Sequence, residues 1–271
     1  MNALERFTPP RIMGIVNTTH DSFFSGSRAP AVEEALALAE QHIRQGATIV
    51  DIGGESTRPG SAPVTVEEEL RRVVPTVQAV HRAYPHILIS ADTRSAAVAR
   101  AALDVGAGMI NDVSGLQHDP AMRDLVVERG VPVCVMHMRG TPATMQDSIH
   151  FDDLLGEIEG ELHQAIAPLV AAGVAREHII LDPGIGFGKE FHHNWSILRH
   201  LERFTASGYP VLIGLSRKRF LGPTQDPADR LYATLAAQLW CTLQGVSILR
   251  VHDVAPIAQM IRVMQEIYDA E

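Results

Sequence analysis

Short apolar runs recur eight times along the chain, and each run ends at a polar or charged residue that a helical pattern follows. The runs span residues 12–16, 48–50, 87–91, 109–110, 133–136, 179–181, 211–215 and 247–249. They are continuously apolar rather than alternating, which is typical of parallel strands that are covered on both faces. Eight such strand–helix units predict an α/β protein, a (β/α)8 TIM barrel with its site at the carboxyl ends of the strands.

Helical patterns fill the chain between these runs. An apolar stripe at helical spacing covers residues 30–45, and Thr65 is placed to cap the next helix. Further helices are predicted at 95–105, 120–130, 151–173, 194–208, 227–245 and 255–270. A doubly wound open sheet has the same alternation, but the number of units and the length of 271 residues favour the barrel.

Composition narrows the class of protein further. No linker divides the chain, so we expect residues 1–271 to form a single domain in which residues 1–10 are an N-terminal extension. The net charge of −9 argues against nucleic acid or an anionic membrane as a partner. Cys134 and Cys241 lie in apolar segments and are expected to be buried thiols. With no signal-like or membrane-spanning run, these features predict a cytoplasmic protein.

Three polar residues at strand ends could meet only if the barrel closes. Asp92, Asn111 and Asp182 follow three different strands. A carboxylate accepts two parallel hydrogen bonds from an amidine-like edge, and an asparagine both donates and accepts. Together they suit a heterocycle with several N–H donors. The alternatives are a metal site, an acid–base pair, or carboxylates that merely cap the following helices.

A basic cluster is expected beside these acids. Ser216-Arg217-Lys218 and Arg250-Val251-His252 end the seventh and eighth strands, where barrels often hold phosphate. Arginine offers a fork of donors to phosphate oxygens, although either segment alone could form a surface ion pair. Asn17 ends the first strand, where its amide oxygen could bind Mg²⁺ or simply form a turn.

The segment 182–189 is rich in glycine and resembles a phosphate-binding loop, but it lacks the Walker spacing. Its glycines more plausibly allow a tight path that places Phe187 at the mouth of the pocket. The adjacent His192 and His193 could suggest zinc. Neighbouring residues do not readily face one metal ion, so a structural role is favoured for them.

These motifs resemble one enzyme family. They are residues 13–17 (MGIVN), 53–60 (GGESTRPG), 136–138 (MHM), 182–184 (DPG), 216–218 (SRK) and 250–253 (RVHD), and they resemble dihydropteroate synthase over nearly the whole chain. The resemblance implies a sulfonamide-target transferase of folate biosynthesis. It would join 6-hydroxymethyl-7,8-dihydropterin pyrophosphate to p-aminobenzoate, with Mg²⁺, and yield 7,8-dihydropteroate and pyrophosphate.

The resemblance also implies a role for each matching residue. The pterin would be held by Asp92, Asn111, Met136, Asp182, Lys218 and Arg250. The p-aminobenzoate would be framed by Phe23, Thr57, Arg58, Pro59, Phe187, Ser216 and Lys218. The pyrophosphate would contact Asn17, Arg250 and His252, with Mg²⁺ on Asn17. The catalytic residues would be Asn17, Asp21, Lys218, Arg250 and His252.

Other expectations follow from the family and from one departure. The family suggests a homodimer through the last helices, where apolar surface could come from Leu239, Trp240, Leu243, Ile257 and Ile261, although the same residues could pack on the barrel. In the first loop, His20 replaces a proline of the family pattern, and Ser25-Gly26-Ser27 lacks an acidic residue and a glycine of that pattern. We therefore expect this loop to close less readily or to pack differently around p-aminobenzoate. The alternatives are a catalytically silent or drug-insensitive paralogue, or a pterin-dependent methyltransferase.

Overall fold

The computed structural model describes residues 8–18, 28–56, 61, 63–222, 224 and 226–270. Within these ranges, eight strands form one parallel sheet in the order β6-β5-β4-β3-β2-β1-β8-β7. The strands are β1 Arg11–Asn17, β2 Ile49–Gly53, β3 Leu88–Asp92, β4 Met109–Asp112, β5 Val133–Met136, β6 Ile179–Asp182, β7 Leu212–Ile213 and β8 Ile248–Val251.

The two ends of this sheet meet between β6 and β7. Leu181 and Val211 form a parallel bridge there, and the amide of Leu181 donates to the carbonyl of Pro210 at 2.9 Å. The strand order therefore closes on itself, which confirms the predicted barrel and rules out the doubly wound alternative.

Helices follow the strands as the sequence predicts. They are α1 Arg28–Arg44, α2 Val66–Ala83, α3 Ala96–Asp104, α4 Ala121–Arg129, α5 Leu154–Ala171, α6 Phe191–Arg199, α7 Glu202–Thr205, α8 Leu231–Leu243 and α9 Val254–Asp269. The oxygen of Thr65 accepts from the amide of Glu68, so the predicted cap is confirmed. Among the described residues, no helix is long and apolar enough to cross a membrane.

Two helix predictions need correction. The helix expected over 194–208 is broken into α6 and α7, because the backbone leaves helical geometry at His200. The helix expected from residue 227 begins with a 3-10 turn, Pro227–Arg230, and α8 starts only at Leu231. In this turn the Asp226 carboxylate accepts from the amide of Ala228.

The core of the described residues has two main parts. One lies between the barrel and the helices, and it includes Ile257 and Ile261, so these two residues of α9 pack inward and are not available for an interface. The other part fills the barrel itself. It is a layer to which almost every strand contributes one inward-facing side chain: Met13, Ile49, Met109, Cys134, Ile180, Leu212 and Ile248, with Leu88 packed against them.

Candidate active site

The apolar layer inside the barrel fixes which residues face the interior further along each strand. Side chains alternate between the two faces of a strand, so the residue two positions further on also faces inward. That rule yields a second layer consisting of Ile15, Asp51, Ser90, Asn111, Met136, Asp182, Gly214 and Arg250. A third layer begins at the strand ends with Asn17, Asp92, Ser216 and His252. The barrel is thus apolar at its base and polar towards its carboxyl end.

Arg250 is the central cation of the second layer. Its Nε donates to Asp51 Oδ2 at 2.7 Å, and a terminal nitrogen donates to Asp92 Oδ2 at 2.6 Å. Asn111 Nδ2 donates to the same oxygen of Asp51 at 3.1 Å. The structure therefore brings together Asp92, Asn111 and Arg250, as the sequence predicts, and it excludes a helix-capping role for Asp92.

Asp51 also belongs to this network, although it is absent from the residues predicted for the site. Its side chain is fully buried and links Arg250 to Asn111. The sequence does contain a signal that Asp51 faces the barrel interior, because it lies two positions after Ile49 of the apolar layer. The apolar run stops at residue 50, but β2 continues through the inward-facing Asp51 and ends at Gly53.

Burial of several carboxyl groups around one guanidinium sets the protonation of the site. Burial raises the pKa of Asp92 to about 7, although Arg250 opposes this shift, and the neighbouring Asp51 carboxylate adds to it. Burial also raises the pKa of Asp182. The hydrogen bond from the amide of Gly184 and the charge of Lys218 act in the opposite direction and lower it. Burial disfavours the charged form of Arg250, but Asp51 and Asp92 outweigh it and raise the guanidinium pKa.

The loop between β6 and α6 carries the next part of the site. Asp182 Oδ1 accepts from the amide of Gly184 at 2.7 Å, so this carboxylate also shapes its own turn. Lys218 Nζ donates to the carbonyl of Ile185 and lies 4.5 Å from the centroid of the Phe187 ring. Burial lowers the pKa of Lys218 to about 7, while Asp182 acts in the opposite direction. Phe187 thus lies at the mouth of the site beside Lys218.

The two predicted basic segments divide into different roles. Ser216 Oγ lies 3.2 Å from His252 Nδ1 and accepts from the amide of His252, which joins the ends of the last two strands. Arg217 adopts a left-handed backbone conformation with φ of 60°. Its Nε donates to Asp253 at 2.8 Å. Arg217 therefore forms an ion pair, which was the alternative for this segment. The cations whose charges act on Asp182 are Lys189, Lys218 and Arg250.

A buried ion pair holds the base of the loop that follows β2. Arg94 donates to both carboxylate oxygens of Glu55, at 3.0 Å and 2.8 Å. The same carboxylate accepts from the amide of Val64 at 3.3 Å. Glu55 therefore joins the two ends of the loop to the end of β3. The sequence analysis does not identify this pair, because its members are 39 residues apart.

Several predicted residues lie outside the described part of the chain. They are Asp21 and Phe23, with His20, in the first loop, and Thr57, Arg58 and Pro59 in the second. Their predicted roles stay predictions. Met136 is described and buried, and it packs in a small apolar cluster with Val113, Met138 and Met145 that Phe187 contacts.

The fold and these residues define an enzyme of the pterin-binding class, built on a (β/α)8 barrel with its polar site at the carboxyl end. The family model described as "Pterin binding enzyme" matches residues 13–252. Dihydropteroate synthase of Escherichia coli K12 is 42% identical over 264 residues, which are 97% of this chain and 93% of that protein. The chain belongs to the dihydropteroate synthase family.

Solved structures agree with this assignment. The Xanthomonas albilineans dihydropteroate synthase with 4-aminobenzoic acid superimposes with a TM-score of 0.90 at 42% identity, covering 99% of this chain and 95% of that chain. The same enzyme in complex with 7,8-dihydropteroate has a TM-score of 0.86 at 39% identity, covering 99% of this chain and 96% of that one.

The raised pKa of Asp92 predicts a specific dependence of stability on pH. The folded-state pKa of about 7 lies above the ordinary 3.8, so the stability that the protonated form contributes is complete below about pH 4. It is lost as the pH rises through about 7. We expect Asp92→Asn to remove this loss, so that its free energy of unfolding falls less than that of the parent over this range. Urea unfolding at a series of pH values measures the free energy of unfolding of both proteins.

The control for this experiment is Asp152→Asn, which removes a carboxyl group whose side chain is 93% exposed. Its stability should follow the pH dependence of the parent protein. Curves of Asp92→Asn and parent that run parallel between about pH 4 and pH 7 would contradict the assignment of the buried proton to Asp92.

Proposed function

We propose that this protein is a dihydropteroate synthase that condenses 6-hydroxymethyl-7,8-dihydropterin pyrophosphate with p-aminobenzoate. The observation that carries the proposal is the convergence of Asp92, Asn111, Asp182, Lys218 and Arg250 at one end of the barrel. Solved relatives at 42% and 39% identity with 4-aminobenzoic acid and 7,8-dihydropteroate support it.

The acids and the amide of the site suit the pterin. Asp92 and Asp182 offer carboxylate oxygens to ring N–H groups, and Asn111 offers both a donor and an acceptor. Arg250 holds Asp92 in place through a direct hydrogen bond, so the guanidinium and the pterin edge share this carboxylate. Met136 supplies an apolar surface beside them. Together these side chains form a slot for a flat ring that is rich in nitrogen.

The mouth of the barrel suits p-aminobenzoate. Phe187 offers an aromatic face beside the ammonium group of Lys218, and Ser216 lies at the end of the seventh strand. Phe23, Thr57, Arg58 and Pro59 complete this subsite in our proposal, from the two loops that lead out of β1 and β2. These loops exclude water, which would otherwise compete with the amine.

The reaction proceeds by departure of the leaving group before the amine attacks. The bond between the pterin methylene carbon and the pyrophosphate oxygen breaks, and positive charge spreads into the pterin near Asp92 and Asp182. The aniline nitrogen then forms a bond to that carbon and releases a proton. Arg250 and His252, with Asn17 and Asp21, stabilise the charge on the departing pyrophosphate. Lys218 acts beside them at the junction of the two substrates.

The test of this function is the release of pyrophosphate. With both substrates and Mg²⁺, we expect pyrophosphate and dihydropteroate in equal amounts. Lys218→Met should lower the rate of product formation by about 100-fold, because it removes a positioned donor at the reacting centre. Coupled pyrophosphate detection and chromatography of the pterin product measure both quantities.

The same assay separates the alternative functions. A silent paralogue binds the pterin substrate and releases no pyrophosphate with or without p-aminobenzoate. A methyltransferase forms no dihydropteroate at all. Either result, obtained with a folded protein, would contradict the proposed function.

Mg²⁺ is proposed as the metal that neutralises the pyrophosphate, with Asn17 as its protein ligand. This ion typically takes one or two protein oxygens together with phosphate oxygens and water. Asn17 ends β1 beside Gly53, and its side chain has no hydrogen bond to any residue in the described ranges. In those ranges no group of three histidine, cysteine or acidic residues is arranged to hold a metal ion.

Substitution of Asn17 tests the metal assignment. Asn17→Ala should raise the Mg²⁺ concentration for half-maximal activity by about 10-fold, since an oxygen ligand is lost. Asn17→Asp keeps an oxygen at the same place and serves as the matched variant, with a requirement at or below that of the parent. Equal requirements in the alanine variant and the parent would contradict a role of Asn17 in binding the ion.

A homodimer is proposed from the exposed apolar side chains of the last two helices. Leu243 on α8 and Val263 and Ile267 on α9 are 46%, 49% and 61% exposed. Clusters of exposed apolar residues commonly mark interfaces. Ile267→Glu should convert the dimer to single chains in sedimentation, whereas Val127→Glu, at an equally apolar exposed position of α4, should not. A parent protein that sediments as a single chain at micromolar concentration would refute the dimer.

The remaining proposals concern organisation and compartment. Residues 1–271 are proposed to form one domain, because the barrel closes within residues 11–251 and α9 packs on it.

A cytoplasmic location is supported by Cys134 and Cys241, which are both buried as free thiols. Fractionation of the cells that make the protein reports on this location.

A further inference from the structure

The whole sequence contains two lysines, Lys189 and Lys218, while every other long basic side chain is an arginine. Both lysines lie against the loop between β6 and α6. Lys218 contacts this loop from the mouth of the barrel, through the carbonyl of Ile185 and the ring of Phe187. Lys189 ends the loop, and the proposed reaction gives it no role. Its position therefore needs an explanation of its own.

Lys189 is 2% exposed and its ammonium group has three acceptors. Nζ lies 2.9 Å from His137 Nδ1, 3.0 Å from the carbonyl oxygen of Phe187 and 3.4 Å from that of His137. A Cβ at Gly184, where φ is 72°, would collide with the His137 carbonyl and lie 3.2 Å from Nζ. The loop therefore passes close over the end of β5, and Lys189 joins the two.

His137 is fixed as an acceptor for Lys189. Its Nε2 lies 3.1 Å from Glu161 on α5, so Nε2 carries the proton and Nδ1 is free to accept. Glu161 is held in turn by Nε of Arg139 at 2.9 Å. Burial and the charges of Lys189 and Arg139 lower the pKa of His137 to about 2, so the ring stays neutral. A chain of hydrogen bonds thus runs from the protein surface to the back of the loop.

The two lysines contact Phe187 at different groups. Lys189 binds the backbone carbonyl of Phe187, and Lys218 lies over its ring. A methionine at position 189 would fill the same space but leave two buried carbonyls and a ring nitrogen without their donor, which is costly in a buried place.

We infer that Lys189 is a positioning residue for the p-aminobenzoate subsite, which sets the place of the Phe187 ring by tying its carbonyl to the end of β5. This inference rests on the proposed function, in which Phe187 lines that subsite. Lys189 touches no substrate and acts on p-aminobenzoate through Phe187. Its charge also interacts with that of Asp182, so the KM for the pterin substrate serves as the readout of any effect through that acid. The competing explanation is a lysine that contributes only to stability.

Kinetics of substituted proteins test the inference first. Lys189→Met should raise the KM for p-aminobenzoate about 10-fold, with a change of less than 3-fold in kcat and in the KM for the pterin substrate, because the ring is displaced while the chemistry is kept. Phe187→Ala should raise the same KM. The double variant should have no higher KM than Phe187→Ala, since Lys189 acts through that ring.

Arg139→Met is the matched control. It removes a cation from the outer end of the same hydrogen-bonded chain, and its side chain contacts Glu157, Glu161, the carbonyl of His150 and the ring of Phe151. It should lower stability while the KM for p-aminobenzoate changes by less than 2-fold. Effects of Lys189→Met and Phe187→Ala that multiply in the double variant, or equal effects of Lys189→Met and Arg139→Met on this KM, would overturn the inference.

A spectroscopic measurement tests the same point without substrate. Lysine labelled with ¹³C at Cε yields two side-chain signals, because the chain has two lysines. In Lys189→Met the remaining signal is that of Lys218, whose shift depends on the Phe187 ring 4.5 Å away. We expect this signal to move towards its position in Phe187→Ala. If Lys189→Met does not fold, Lys189→Gln, with a shorter amide donor, takes its place.

The Lys218 signal and the KM for p-aminobenzoate distinguish a failure of the inference about Lys189 from a failure of the proposed p-aminobenzoate subsite. A Lys218 signal that stays at its parental position in the variant at 189 overturns the inference while the proposed subsite stands. A KM for p-aminobenzoate that Phe187→Ala leaves unchanged overturns the subsite itself, whatever the signal does.

Discussion

Arg250 reaches from β8 across β1 to the carboxylates of Asp51 on β2 and Asp92 on β3. Buried charges are costly unless they are paired, and removal of one partner leaves the others unpaired in a low dielectric. Burial raises the pKa of Asp92 to about 7, against the attraction of Arg250, and the neighbouring carboxylate of Asp51 adds to this shift. The arrangement keeps several acids and one cation side by side at the carboxyl end of the barrel.

The alternation of side chains along each strand explains why this chemistry collects at one end. The apolar layer of the barrel interior includes Met13, Ile49 and Ile248, and the residues two positions further on begin the polar layers. Apolar side chains close the base against water, which lowers the local dielectric under the acids. The base of the barrel thus stabilises the fold and, by excluding water, strengthens the electrostatics of the site above it.

The loop after β6 depends on a different principle, the satisfaction of buried backbone groups. Its glycines bring carbonyl oxygens close to the end of β5, and such groups need donors. Lys218 supplies one from the side of the site and Lys189 supplies one from behind. Both lysines have a pKa lowered by burial to about 7, so each is easily discharged and less costly to bury than an arginine.

The sequence alone determined the number and order of strand–helix units, because apolar runs of strand length and capped helices are local patterns. It also determined which acids end their strands, and it placed Asp92, Asn111 and Arg250 in one site. Only the tertiary structure decided that Asp51 joins them, that Arg217 pairs with Asp253 instead, and that Lys189 supports Phe187 from behind. These facts depend on side-chain direction, on register and on contacts between distant segments, which arise when the barrel closes.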